Sequence, residues 1–438
     1  MSAHQLAVFH EFSRLGTIGF EPLDETFSFG YHPAWLNDRA AFPLSPHFPL
    51  TGEPFSSAPI RRFLENLLPE GRALDIAATT FQVSKSNIFG LVRELGRETA
   101  GALTFLPEDD FASAATTEKR PVGVDELARR VRERAEHPLS VWDGRVRMSL
   151  AGYQDKLAVL VEGEDFYLAE GRLASTHILK PEPPHDRLPH LAANEHFCTN
   201  LARRIGLPVP DVDILRLPDP VLIVRRFDRA RGEDAVHRRH IIDACQALDF
   251  PVSYKYERNF GSGKDVRHIR DGVSFRRLFS VAAHCAVKAV ATQLLLRWAL
   301  LQFLLGNCDA HGKNISFFCG PEGLSVAPFY DLVSVVQFST VDHEMAMGYG
   351  DEFVLEHISP FDWACFAGHA GVPRSLLARE MGRTGRAARR AALEQSNDPV
   401  YVDGERAAVK EIADFVARQA DRMIDSAQPM RQVSASLL

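Results

Sequence analysis

The chain of 438 residues is expected to adopt an α+β fold, in which an N-terminal α/β subdomain precedes a sheet-rich lobe and a helical C-terminal lobe. Three observations lead there. At about 150 residues per domain, the length admits two or three modules. Hydrophobic residues make up 45% and charged residues 24%, the balance of a globular chain with a real core and not of a disordered or collagenous one. The texture also changes along the chain, from short β-like runs between Gly and polar turns to long apolar stretches of helical character.

Residues 1–108 read as the first module. Within it Ser84 is placed to open a helix whose Ile88, Leu91, Val92 and Leu95 share one face, with Gly96 at its end. The segment ALTFLPE reads as a strand closed by Pro107. The polar stretch EDDFASAATTEKRPVG lacks periodicity and marks the boundary to a second module, 109–234. There an Arg-rich amphipathic helix is expected from Val124 to the Pro138 turn, followed by VRMSL, KLAVLV, DFYLA, THILK and PVLIVRRFD as antiparallel strands. A helix from Asn194 to Ile205, ended by Gly206 and Pro208, interrupts them. The third module, 235–438, is mostly helical, with an apolar helix at 287–305, the polar loop GNCDAHGKN and a β-like pair, ISFFCG and GLSVAPFYD.

Fifty Lys and Arg against 57 Asp and Glu leave a net charge of −7, which excludes a generally basic nucleic-acid binder and leaves only local or partner-mediated contact. The six cysteines contain no CxxC pair, as expected of reduced thiols. The N-terminus shows no basic then apolar leader. The most apolar stretch, Leu294 to Leu305, is interrupted by Arg297 and Gln302 and reads as a buried helix, not a membrane span. A cytoplasmic protein is expected.

Chemistry concentrates in the loop that follows this helix. Asp309 and Asn314 have the spacing of a catalytic loop in which Asp accepts a hydroxyl proton and Asn holds Mg²⁺, and Asp331 follows where a second metal-binding Asp belongs. A hard cation on phosphate oxygens calls for oxygen ligands of this kind. Lys180, ending a β-like run, can lay its stem on a sheet and reach phosphates, and Glu195 in the next helix is placed to pair with it. Ser149-Leu-Ala-Gly152-Tyr-Gln-Asp-Lys156 lies between two strand-like runs and is either a plain hairpin turn or a phosphate-covering loop that departs from the common pattern, with one glycine in place of three. A metal set from His185, His190 and His196 has no matching spacing. The basic run Arg374, Arg379, Arg383, Arg386, Arg389 and Arg390 is a solvated helix face or a contact to DNA backbone.

With MSLAGYQDKLAV, STHILKPE, ANEHFCTNLARRIGLPVPD, VRRFDR, DACQALDFPVSYKYE, GNCDAHGKNIS and PFYDLVS in this order, the chain resembles the HipA-type toxin kinases of bacterial type II toxin–antitoxin systems. The N-terminal segments FGYHPAWL, AFPLSPHFPL, FLENLLPEG and LVRELGRETAGALTFLPED extend the resemblance over essentially the whole chain. It implies a two-lobed protein-kinase-like fold and ATP and Mg²⁺ as cofactors. It makes Asp309 the catalytic base and Asn314 and Asp331 the Mg²⁺ ligands. Ala151, Gly152, Tyr153, Gln154, Asp155 and Lys156 become the phosphate-covering loop, Lys180 with Glu195 the nucleotide-binding pair, and Arg225, Arg226 and Phe227 the hinge beside the adenine. His311, Gly312, Lys313 and Tyr330 complete the nucleotide site, and Ser149 is the autophosphorylated residue, which gives an off-switch by charge repulsion. Implied partners are a helix-turn-helix antitoxin (HipB-like), operator DNA through that complex, and a translation protein as substrate, with an aminoacyl-tRNA synthetase the leading candidate. Arg225 stands where relatives carry Glu, and Ile241-Ile242 where they carry Gln-Glu. A small-molecule phosphotransferase and a catalytically weak co-repressor are the alternative functions.

Overall fold

The computed structural model describes residues 4–110, 117–146, 154–171, 173–184, 187–232 and 236–438. The chain forms two compact units, one of residues 1–184, 215–252 and 317–325, the other of residues 185–214, 253–316 and 326–438.

The first unit begins with an antiparallel sheet in the order Thr26–Tyr31, Ser13–Glu21, His4–His10, Leu103–Leu106. Helices Ser57–Glu65, Gly71–Phe81 and Ile88–Leu95 accompany it. The last buries Ile88, Leu91, Val92 and Leu95, but it starts later than the position of Ser84 suggests: Asn87 is the cap, accepting from Gly90 N–H at 2.9 Å. Ser84 and Ser86 bond one another in the preceding turn, where two competing hydroxyls favour a turn over a helix start.

A second sheet has six strands, in the order Val212–Leu217, Asp219–Arg225, His177–Pro181, Leu157–Glu162, Asp165–Gly171 and Thr117–Val122. Its buried face, Leu157, Val159, Leu168, Leu179 and Val221, is covered by Leu127 and Val131 of helix Val124–Arg132 together with Leu139 and Trp142. That helix ends before the Pro138 turn.

The N-terminal module joins this sheet through buried charges. Arg226 donates to Asp228 at 2.7 and 3.0 Å and to Ser175 Oγ at 2.9 Å, with Glu98 Oε1 at 3.4 Å. Arg229 donates to Asp228 at 2.8 Å and to Gly101 O at 2.9 Å, and the Gly101 N–H donates back to Asp228 at 2.8 Å. Burial alone would raise Asp228 and Glu98, but the surrounding arginines hold both carboxyls below the usual range.

The second unit is helical. Helix Leu191–Arg204 starts three residues before Asn194, so Glu195 lies in its second turn, not at its N-terminus. Helix Lys288–Leu305 is exposed over its first turn and buries Leu295, Leu296 and Trp298 through Leu305, as a helix that runs into the middle of a core must. It is the one helix among the described residues long and apolar enough to cross a membrane, and 61% of it is buried within the protein. Helices Arg374–Gln395 and Asp403–Gln432 pack against one another and bury Ala388 and Ala392 of the first and Val409, Ile412, Ala413 and Val416 of the second. The six cysteines form no disulfide.

Candidate active site

The polar loop exists because helix Lys288–Leu305 stops abruptly. Gly306 takes a left-handed conformation (φ 60°), and its N–H and that of Asn307 satisfy the last carbonyls, Phe303 O at 3.3 Å and Gln302 O at 3.0 Å. Ser334 Oγ caps Leu305 O at 2.7 Å. The loop that follows is buried at Cys308, Ala310, His311, Gly312, Lys313 and Asn314, whereas Asp309 is exposed. One carboxylate is thus presented from an otherwise fixed segment.

Hydrogen bonds bring the residues of the motif together. Asn314 Nδ2 donates to the backbone carbonyl of Asp309 at 2.8 Å. Asn307 Nδ2 donates to Gln302 Oε1 at 2.9 Å and to Asp331 O at 3.3 Å. The Tyr330 hydroxyl donates to Lys313 O at 2.6 Å and lies 2.7 Å from Ser316 Oγ. Asp331 has φ 51°, a left-handed conformation uncommon outside Gly, Asn and Asp, which turns the chain at the end of the segment after strand Gly323–Val326. Asn307 and Tyr330 therefore tie the segment that carries Asp331 to the loop that carries Asp309.

His311 is buried, its Nδ1 accepting from Lys313 N–H at 3.3 Å. Burial, with Lys255 and Lys313 nearby, holds its imidazole well below the ordinary histidine range, so it is neutral. Gly312 N–H donates to Lys255 O at 2.9 Å. Tyr256 adds a contact to which the sequence reading gave no role: its hydroxyl donates to Asp309 Oδ1, and its ring meets His311 edge-on at 4.9 Å. Asn307 was likewise given no role, although both residues lie in motifs that carry the resemblance, Tyr256 in DACQALDFPVSYKYE and Asn307 directly after the helix-ending glycine of GNCDAHGKNIS.

The remaining site residues belong to the first unit, except Glu195. Lys180 lies on strand His177–Pro181, opposite Leu222, and is buried. Glu195 is buried in helix Leu191–Arg204. Gln154 Nε2 donates to Pro181 O at 2.9 Å, tying the end of the candidate phosphate loop to the lysine strand. Asp155 accepts from the backbone N–H groups of Leu139 at 2.6 Å and Ser140 at 3.2 Å. It is an anchor, and burial raises its carboxyl against the effect of these bonds. Lys156 is buried. Ser149, Ala151, Gly152 and Tyr153 lie outside the described residues.

In the segment expected to be the hinge, Arg225 is exposed and lies opposite His177 in the sheet, and Phe227 meets Phe318 edge-on at 6.1 Å. The Arg226 guanidinium is committed to the interior charge cluster, and its N–H donates to Thr176 O at 2.8 Å. What Arg226 can offer a base is its backbone carbonyl. His196 bonds the Tyr401 hydroxyl at 2.9 Å and Asn200 at 3.0 Å. Within the basic run, Arg383 pairs with Glu380 at 2.5 Å and Arg389 with Asp421 at 3.2 Å.

A sheet-rich unit carrying a strand lysine and a helical unit carrying an Asp-x4-Asn loop are the parts of a two-lobed kinase-like fold. Comparison with known proteins agrees along the chain. Residues 6–106 match the HipA N-terminal domain and residues 148–392 the HipA-like C-terminal domain. The chain is 44% identical over 375 residues, 85% of its length and 84% of the relative's, to the serine/threonine-protein kinase toxin HipA of Shewanella oneidensis. It is 36% identical over 404 residues to a Sinorhizobium fredii protein, covering 90% of this chain and 92% of the other. The solved structure of Shewanella oneidensis HipA with HipB and its operator DNA aligns with TM-score 0.88 and 40% identity over 98% of this chain and all (100%) of that one. The chain belongs to the HipA family and is a serine/threonine-protein kinase.

Proposed function

We propose that this kinase is the toxin of a toxin–antitoxin module, acting in the cytoplasm on a seryl or threonyl hydroxyl of a translation protein, with an aminoacyl-tRNA synthetase as the substrate class, and on its own Ser149. The observation that supports the catalytic part is the hydrogen bonding around the loop, Asn314 to Asp309 O, Asn307 to Asp331 O and Tyr330 to Lys313 O. Carboxylate and amide oxygens such as those of Asp331 and Asn314 are the donor set that a hard divalent cation and a phosphate chain require.

Asp309, the exposed carboxylate of the loop, aligns the acceptor hydroxyl and takes its proton. Asn314 and Asp331 would hold Mg²⁺. Since Asn314 Nδ2 is spent on Asp309 O, its Oδ1 is the atom to meet the cation. Bound Mg²⁺-ATP supplies the phosphoryl group and the charge that offsets its oxygens. The family resemblance assigns Lys180 to the phosphates, Glu195 to Lys180, Lys156 and Gln154 to the covering loop, and Arg225, Arg226, Phe227, His311, Gly312, Lys313 and Tyr330 to nucleotide binding. A helix-turn-helix antitoxin of the HipB kind is the partner, and it carries the contact to operator DNA, in keeping with the net charge of −7.

Phosphoproteomics after controlled expression of wild-type and Asp309→Gln chains tests this reading. Phosphosites on a translation protein that vanish with Asp309→Gln support it. Identical phosphosites in both strains overturn it. Intact-mass analysis should show one phosphate that is lost in Ser149→Ala.

A further inference from the structure

We propose that Tyr256 is a positioning residue for phosphoryl transfer, its hydroxyl holding the Asp309 carboxylate in the orientation that receives the acceptor proton. The inference rests on the reading of Asp309 as the base.

Asp309 stands exposed on a short connection, and a base acts best when the same oxygen faces the acceptor at each turnover. The Tyr256 hydroxyl donates to Oδ1 and so contributes to the orientation of the carboxylate, leaving Oδ2 as the oxygen to receive the proton. Such a clamp needs a rigid support, and Tyr256 has one on each side. Lys255 O accepts from Gly312 N–H at 2.9 Å, tying the segment to the catalytic loop itself. Tyr254 O accepts from Val273 N–H at 2.8 Å. The next residue, Glu257, is buried, forms an ion pair with Arg270 at 2.5 Å and accepts from Gly348 N–H at 2.8 Å. Its N–H donates to Ala346 O at 3.0 Å. The ring is braced edge-on by the neutral His311 at 4.9 Å. Tyr256 therefore touches the base with its hydroxyl and a candidate nucleotide residue with its ring, so that the two sides of the reaction share one support.

ADP formation from Mg²⁺-ATP by the full chain, measured in steady state for wild type, Tyr256→Phe, Asp309→Asn and the double variant, tests this. Phe keeps the ring packing and removes only the donor. Tyr256→Phe is expected to lower kcat about tenfold with KM for ATP unchanged, and to add no further loss in the Asp309→Asn background, because the hydroxyl acts only through that carboxylate. Wild-type kcat in Tyr256→Phe together with an inactive Asp309→Asn overturns the proposal and leaves the base assignment standing. Equal losses from Tyr256→Phe in both backgrounds also overturn it, since the hydroxyl then acts elsewhere. Wild-type turnover by Asp309→Asn overturns the base assignment and the proposal with it.

Discussion

Asn314 donates from its side-chain nitrogen to the backbone carbonyl of Asp309 at 2.8 Å. In the proposed mechanism this one amide has two ends with different tasks, the nitrogen shaping the loop that would present the base and the oxygen meeting the cation. Asn314→Asp keeps an oxygen ligand and loses the donor, while Asn314→Ala loses both. Both variants are expected to lose at least about tenfold in ADP formation. Raising Mg²⁺ should recover part of the activity of the Asp variant and none of that of the Ala variant, as a metal titration will show.

Gly306 gives the helix end its geometry. A Cβ there would lie 2.7 Å from Val336 and 2.9 Å from Phe415, on a backbone with φ 60°. Gly306→Ala is expected to cost about 2–3 kcal/mol from left-handed strain and crowding together. Urea unfolding should report a lower midpoint with an unchanged slope.

Removing Asp228 leaves Arg226 and Arg229 buried without their shared carboxylate. Asp228→Asn is expected to destabilise the first unit by about 3–5 kcal/mol at neutral pH. Because the folded carboxyls of Asp228 and Glu98 lie below their unfolded values, their stabilisation is present above about pH 4 and is lost as pH falls below it. Acid titration of stability should therefore be shallower in Asp228→Asn than in wild type.

His240 makes a separate contribution at higher pH. Its Nε2–H donates to Leu44 O at 2.9 Å and its ring stacks on Phe42 at 5.0 Å. Burial pushes its imidazole down to about 4. Between about pH 6.5 and that value the unfolded chain binds a proton that the folded chain does not, so stability rises with pH across this window and is lost on acidification through it. His240→Gln, which keeps a donor for Leu44 O but cannot titrate, should flatten the stability profile from pH 6.5 to 4, as urea midpoints at several pH values would show.

Much of the fold could be read locally. The apolar face of Ile88–Leu95, the apolar run Leu294–Leu305 and the polar loop after it are written in side-chain pattern and in Gly306. Element starts were less legible. Ser84 and Asn87 are both good caps, and only the hydrogen bonds chosen in three dimensions separate them. Helix Leu191–Arg204 begins at His190 in a left-handed conformation, which no capping residue announces.

Sequence order and spacing were enough to bring forward Asp309, Asn314, Asp331 and Lys180, because an Asp-x4-Asn loop after a buried helix is a local pattern. The environment of these residues was a different matter. That Arg226 is committed to Asp228 and Glu98, that Asp155 is an anchor for Leu139 and Ser140, that Tyr256 meets Asp309 and that Asn307 meets Asp331 all depend on contacts between separate segments. Such contacts are chosen by burial and by the need to satisfy every buried polar group, conditions that exist only once the chain has folded.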